Sequence, residues 1–120
     1  MLNALAHVRA ALRFLELADS FSVERDPLAK SEMLWCAAAH IMKAIAVTQR
    51  PIWPNRRHRD LFGIAVRIES LWSEAGIEDD FKAAERLHRN MYEGFMGRRA
   101  FANAEGRVRR LVNRMVNRIQ

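Results

Sequence analysis

The chain has 120 residues, half of them apolar and 28% charged, with only five glycines and three prolines. That is enough for one compact domain and too little for two, and the balance excludes disordered, collagen-like and low-complexity architectures. The formal net charge is +6, and Arg outnumbers Lys by 17 to 3.

The first helix is predicted over residues 2–20, where Leu5, Val8, Leu12 and Leu15 form one stripe with Phe14, Ala18 and Phe21 beside it. Asp26-Pro27 then predicts a helix start, with a side-chain acceptor at the N-cap and proline in the first turn. The second helix should run from 27 to 49. It is apolar nearly all round between Met33 and Val47, and its alanines suit a buried central helix. His40 on this helix reads as a core or interface histidine, and Cys36 as a packed thiol. Pro51 ends the helix, and an irregular stretch, Pro51-Ile52-Trp53-Pro54-Asn55-Arg56-Arg57-His58-Arg59, follows. Trp53 reads as a plug over the bundle end or as a base-stacking platform.

A third helix is expected from about Asp60, with Leu61, Ile64, Ala65, Ile68, Leu71 and Trp72 facing the core and Gly76 stopping it. Glu78, Asp79 and Asp80 suit the start of a fourth helix, which carries Phe81, Ala84, His88, Met91 and Phe95 on one face and frays at 94–97. A fifth carries Phe101, Ala104, Val108, Leu111, Met115 and Ile119. No strand alternation competes, so the fold class is all-α, a single-domain five-helix up-and-down bundle over 1–120. The apolar Met33–Val47 stretch is too short to span a bilayer and contains His40 and Lys43. Met1-Leu2-Asn3-Ala4 opens straight into an amphipathic pattern without a leader-like segment. With one cysteine there is no intrachain disulfide, so a cytoplasmic, reducing setting without membrane partners is expected.

Charge is unevenly placed. Residues 1–97 hold 13 basic and 13 acidic side chains, whereas the last 23 hold seven arginines against Glu105. Arg107, Arg110, Arg114 and Arg118 fall within about 80° on the fifth helix. Such a ridge either tracks a phosphate backbone or pairs with acids elsewhere in the chain or in a partner. Arg56, Arg57, His58 and Arg59 precede a helix N-terminus, where free N–H groups favour an anion. The alternative is a solvated cluster with Asp60 as a cap. Glu85-x-x-His88 matches half of a di-iron carboxylate element, but no second copy exists, so neither metal nor cofactor is expected.

Four stretches together resemble a known superfamily. Trp35-Cys36-Ala37-Ala38-Ala39-His40-Ile41-Met42-Lys43-Ala44-Ile45-Ala46 leads into Pro51-Ile52-Trp53-Pro54 and His58-Arg59-Asp60-Leu61, and Leu87-His88-Arg89-Asn90-Met91-Tyr92-Glu93 follows. The order is similar to HEPN domains, the helical "higher eukaryotes and prokaryotes nucleotide-binding" superfamily, over roughly residues 28–95. The resemblance implies a helical bundle that forms homodimers and binds RNA or nucleotides. It also implies, in some members, metal-independent ribonuclease activity in toxin–antitoxin or defence systems, or a nucleotidyltransferase-like antitoxin partner. Nuclease members carry an Arg one to two turns before a His on a late helix. Here only Lys82 stands so before His88, with Tyr92 one turn after. The expected function is therefore a non-catalytic module binding RNA or nucleotide phosphate through Arg56, Arg57, His58, Arg59 and the C-terminal ridge. The alternatives are a ribonuclease using His88, Lys82 and Tyr92, and a dimerising adaptor for an acidic partner.

Overall fold

A computed structural model describes residues 3–119. Met1 and Leu2, at the expected start of the first helix, and Gln120 lie outside the described residues. Five helices form an all-α bundle, as the periodicity predicts: α1 Ala4–Asp19, α2 Pro27–Thr48, α3 His58–Trp72, α4 Ile77–Glu93 and α5 Arg98–Ile119. The described residues contain no strand.

The nearly all-apolar α2 is the central helix. It buries Leu34, Ala37, Ala38, Ile41, Met42, Ala44, Ile45 and Ala46 and is in contact with each of the other four helices. Its alanines let the neighbours approach closely. α1 packs chiefly on α2, through Val8, Ala11, Leu15 and Ala18, and only marginally on α5. The buried Lys30 donates to the carbonyls of Ala18 (2.9 Å) and Phe21 (3.3 Å), closing the C-terminal end of α1.

Helix ends differ from the sequence reading in two places. Asp26 is the N-cap of α2, but its side chain makes no capping bond, and its carbonyl accepts from Lys30 N–H at 3.0 Å instead. α3 ends at Trp72 with Ser73 in the left-handed region (φ 53°). Gly76 (φ 86°), expected to stop α3, is instead the N-cap of α4. A glycine cap has no side chain to offer, and Glu69 of α3 substitutes for it by accepting from Glu78 N–H at 3.2 Å. That backbone contact holds the Glu69 carboxyl below its usual range.

The connection between α2 and α3 positions everything that follows. α1/α2, α2/α4 and α3/α4 are antiparallel, shown by Lys30 against Ala18, His88 against Glu32, and His58 against Glu85. Residues 49–57, however, double back along α2. Trp53 N–H donates to Ala46 O (3.3 Å), Lys43 Nζ donates to Asn55 O, and His58 stacks at 4.6 Å on Trp35. α3 therefore starts level with the middle of α2 and runs in the same general sense, a departure from strict up-and-down alternation. Trp53 packs half-buried against the core, 5.9 Å from Trp72, in the plug arrangement.

Candidate functional site

Three helices, α2, α3 and α4, meet around the indole of Trp35. His58, at the first position of α3, lies 4.6 Å from it; His88, in the second half of α4, stacks on it at 4.7 Å. The two imidazoles meet edge to face at 5.4 Å, and the Tyr92 ring stands perpendicular to His88 at 5.4 Å. Each imidazole is held by a carboxylate from another helix. His58 Nε2 bonds Glu85 Oε2 at 3.2 Å, and His88 Nδ1 bonds Glu32 Oε1 at 2.9 Å. An ionised carboxylate only accepts, so each of those nitrogens carries the proton. His58 Nδ1 and His88 Nε2 remain free to exchange a proton with a ligand.

The floor of this cluster is rigid. Trp35 is buried and also meets Phe81, 5.7 Å away. Beside it Asn90 donates to Ser31 Oγ (2.8 Å) while its Oδ1 accepts from Met96 N–H (2.8 Å), tying the end of α4 to the start of α2. His58 and Tyr92 are exposed and His88 is half-buried, so the rings open to solvent at one side.

Arg56 and Arg57 lie in the segment that leads into His58, and Arg59 follows it, lining a separate depression with Pro54, Gly63, Ile64 and Arg67. Arg56, Arg57 and Asp60 line a surface depression of 450 Å³. Asp60 Oδ2 accepts from the Arg57 N–H at 3.0 Å. That bond, then the Arg56 backbone and the Arg59 and Arg57 charges, hold its carboxyl below the usual range. Asp60 thus caps α3, as one sequence reading expects. Among the described residues, Arg56, Arg57 and Arg59 have no salt-bridge partner.

The C-terminal ridge is arranged differently. Arg107 and Arg110 both bind the fully buried Asp80, at 3.3 and 2.6 Å, and Arg114 and Arg118 both bind Glu74, at 2.5 and 3.0 Å. Arg109 bridges Glu105 (2.8 Å) and Asp19 (2.6 Å), and Arg98 reaches Glu24 at 2.7 Å. The ridge is an internal clamp fastening α5 to α4 and to the turn before it, not an open row of guanidiniums. The four ridge arginines share two acids, Asp80 and Glu74, whereas Arg56, Arg57 and Arg59 are among the arginines, with Arg9, Arg25, Arg50, Arg67, Arg86 and Arg99, that pair with no acid among the described residues.

Lys82, expected near His88, is turned over the Phe62 ring at 5.9 Å. Arg89 pairs with Glu93 and lies 4.6 Å over Phe95. Cys36 is half-buried, and burial followed by the Glu32 charge raises its thiol to about 11, a packed and unreactive group. Among the described residues no group of three or more His, Cys, Asp or Glu side chains could hold a metal ion. Glu32 and Trp35 escaped the sequence reading. Their signal was a carboxylate one turn before an aromatic on an otherwise apolar helix, which gains meaning only once His88 lies opposite.

A model of the archaeal PaREP1/PaREP8 family matches residues 6–112, which takes in the core of the fold and every ring of the cluster. The chain belongs to the archaeal PaREP1/PaREP8 family. No curated protein and no solved structure matches it. No helix of this PaREP1/PaREP8 chain is long and apolar enough to cross a membrane, among the described residues.

Proposed function

We propose that this PaREP1/PaREP8 chain binds RNA, or the phosphate of a nucleotide, at the ring cluster where α3 begins beside α4. The observation that carries the reading is the convergence of His58 and His88 on Trp35, 5.4 Å from each other. Arg56, Arg57 and Arg59 supply phosphate contacts on either side of His58, and the two imidazoles orient the bound group. Planar guanidiniums suit a phosphodiester, which they engage through two N–H groups at once.

The same arrangement supports a HEPN-like relationship. Of the four stretches that carry the resemblance, 35–46 and 58–61 contribute one ring each to the cluster, 87–93 contributes two, and 51–54 contributes none. A homodimer belongs to this reading too. Leu28, Tyr92 and Phe95 are exposed and offer apolar surface for a second copy. An adaptor role through the arginine ridge draws less support, because those arginines already hold acids of their own chain.

Binding is tested by fluorescence anisotropy with a labelled single-stranded RNA in EDTA across a salt series. Wild type is expected to bind at low salt. Replacing Arg56, Arg57 and Arg59 together by Gln should lower the slope of log affinity against log salt by about 2, near 0.7 per lost contact. No binding by wild type at low salt overturns the reading.

A second reading, metal-independent RNA cleavage, is favoured by one specific feature. Two imidazoles in contact, each held by a carboxylate on one nitrogen, leave one free nitrogen each. One can take the proton of a ribose 2′-hydroxyl as its oxygen attacks phosphorus. The other returns a proton to the departing 5′-oxygen, leaving a cyclic phosphate. Incubation of RNA with protein in EDTA tests this: cleavage that survives both His58→Ala and His88→Ala removes the pair from the chemistry.

A further inference from the structure

The chain holds a second pair of histidines, wired the opposite way. His7 of α1 and His40 of α2 face each other with their Nδ1 atoms 3.0 Å apart and their ring centroids 5.3 Å apart. Phe14 stacks on His40 at 5.5 Å, and His7 is only 6% exposed. A contact of two ring nitrogens at this distance is a hydrogen bond only when one proton lies between them. With none the lone pairs oppose each other, and with two the N–H groups collide.

His58 and His88 are each bonded to a carboxylate, Glu85 and Glu32. The His7–His40 pair has none: among the described residues neither ring is bonded to an acid. The charged group acting on both rings is Lys43, one turn along α2 from His40. Lys43 itself donates to Asn55 O and stands within the field of Asp60 and Arg56. Burial first, then the neighbouring imidazole and Lys43, press His7 below its ordinary range, and burial then Lys43 does the same to His40. The pair bridges the one helix that has a single substantial neighbour, since α1 rests almost wholly on α2.

We propose that His7 and His40 form an acid-released latch, which holds the start of α1 against α2 while one proton lies between the rings and lets it lift away when both rings are charged. The first proton that the neutral pair gains goes to the outer nitrogen of the donor ring and leaves the shared bond in place. The second places two imidazolium groups in contact beside an ammonium, with no acid bonded to either ring among the described residues to offset them. The remaining helices keep their own fastenings, Asp80 to α5 and Asn90 to α2, neither of which involves a histidine. Lys30 still holds the Ala18 and Phe21 carbonyls and Arg109 still holds Asp19, so release is confined to the N-terminal part of α1 around His7, and it uncovers the α2 surface beneath Val8 and Ala11.

Hydrogen–deuterium exchange of the full chain, expressed as protection relative to intrinsic rates, tests the latch between pH 8 and about pH 5. Amides of α1 around His7 are expected to lose at least tenfold protection on acidification while those of α4 and α5 keep theirs. Nitrogen NMR of the imidazoles should show the loss tracking the second protonation of the His7–His40 pair. A His58→Gln/His88→Gln variant should release α1 at the same pH as wild type. His40→Phe, which can still stack on Phe14, should remove the pH dependence. Unchanged α1 protection in wild type overturns the proposal without recourse to any variant. So does simultaneous loss across α1, α4 and α5, which is global unfolding. Neither outcome bears on RNA binding.

Discussion

Glu32 and His88 are 56 residues apart in the chain, and their side chains meet at 2.9 Å. The carboxylate fixes which imidazole nitrogen carries the proton and, with Trp35 stacked on the ring, which way the free nitrogen points. A histidine that reads in sequence as one more position on an amphipathic face thereby becomes an oriented group in a ring cluster that is open to solvent on one side.

Replacing Glu32 by Ala should free that ring. Affinity for single-stranded RNA in the anisotropy assay is expected to fall several-fold, in line with about 1 kcal/mol for one orienting hydrogen bond. The urea midpoint should move little, because Glu32 is half-exposed. An unchanged affinity would detach Glu32 from the site.

Asp80 gives the opposite kind of outcome. Its side chain is fully buried, yet Arg107 and Arg110, which bind it, still reach solvent. In Asp80→Ala the two guanidiniums can turn to water, so the loss should be roughly 2 kcal/mol, below that of a fully buried pair. Urea unfolding measures it. Arg110→Gln should also destabilise the fold while leaving the salt slope of RNA binding as in wild type. A reduced slope would return the ridge to the binding surface.

The turn between α3 and α4 carries two residues in the left-handed region, Ser73 and Gly76. Ser73→Gly removes a Cβ penalty there and should stabilise by up to about 1 kcal/mol. Gly76→Ala should cost about 1 kcal/mol through the backbone alone, since a Cβ at that position meets only Arg114 Nη1 at 3.8 Å. Thermal unfolding of the two variants should shift in opposite directions.

Stability should also fall on mild acidification. His7 and His40 are held below their ordinary values in the folded chain, so the unfolded chain binds more protons once pH drops below about 6.5. Their contribution is fully present above that pH and is lost progressively below it. Urea titrations at pH 7.5 and 5.5 check the sign. A His40→Phe chain should show a shallower dependence over the same window.

The sequence alone determined the five helices, most of their core faces and the central place of α2; Leu5, Leu12, Leu71 and Phe95, expected on core stripes, are exposed because each stripe is wider than the face its neighbours cover. Each feature it determined rests on local periodicity, helix punctuation or side-chain size, all readable within a few turns of chain. It also singled out His58 and His88, one by its setting among arginines and the other by its place on an apolar stripe. The tertiary structure decided how those residues are used. Residues 49–57 double back along α2 through contacts such as Trp53 to Ala46, and this carries His58 to Trp35. The ridge arginines are claimed by Asp80 and Glu74, and His7 finds His40 across 33 residues. Charge pairing acts through space at a few ångströms, so a sequence can give the count of cations but not which ones remain free.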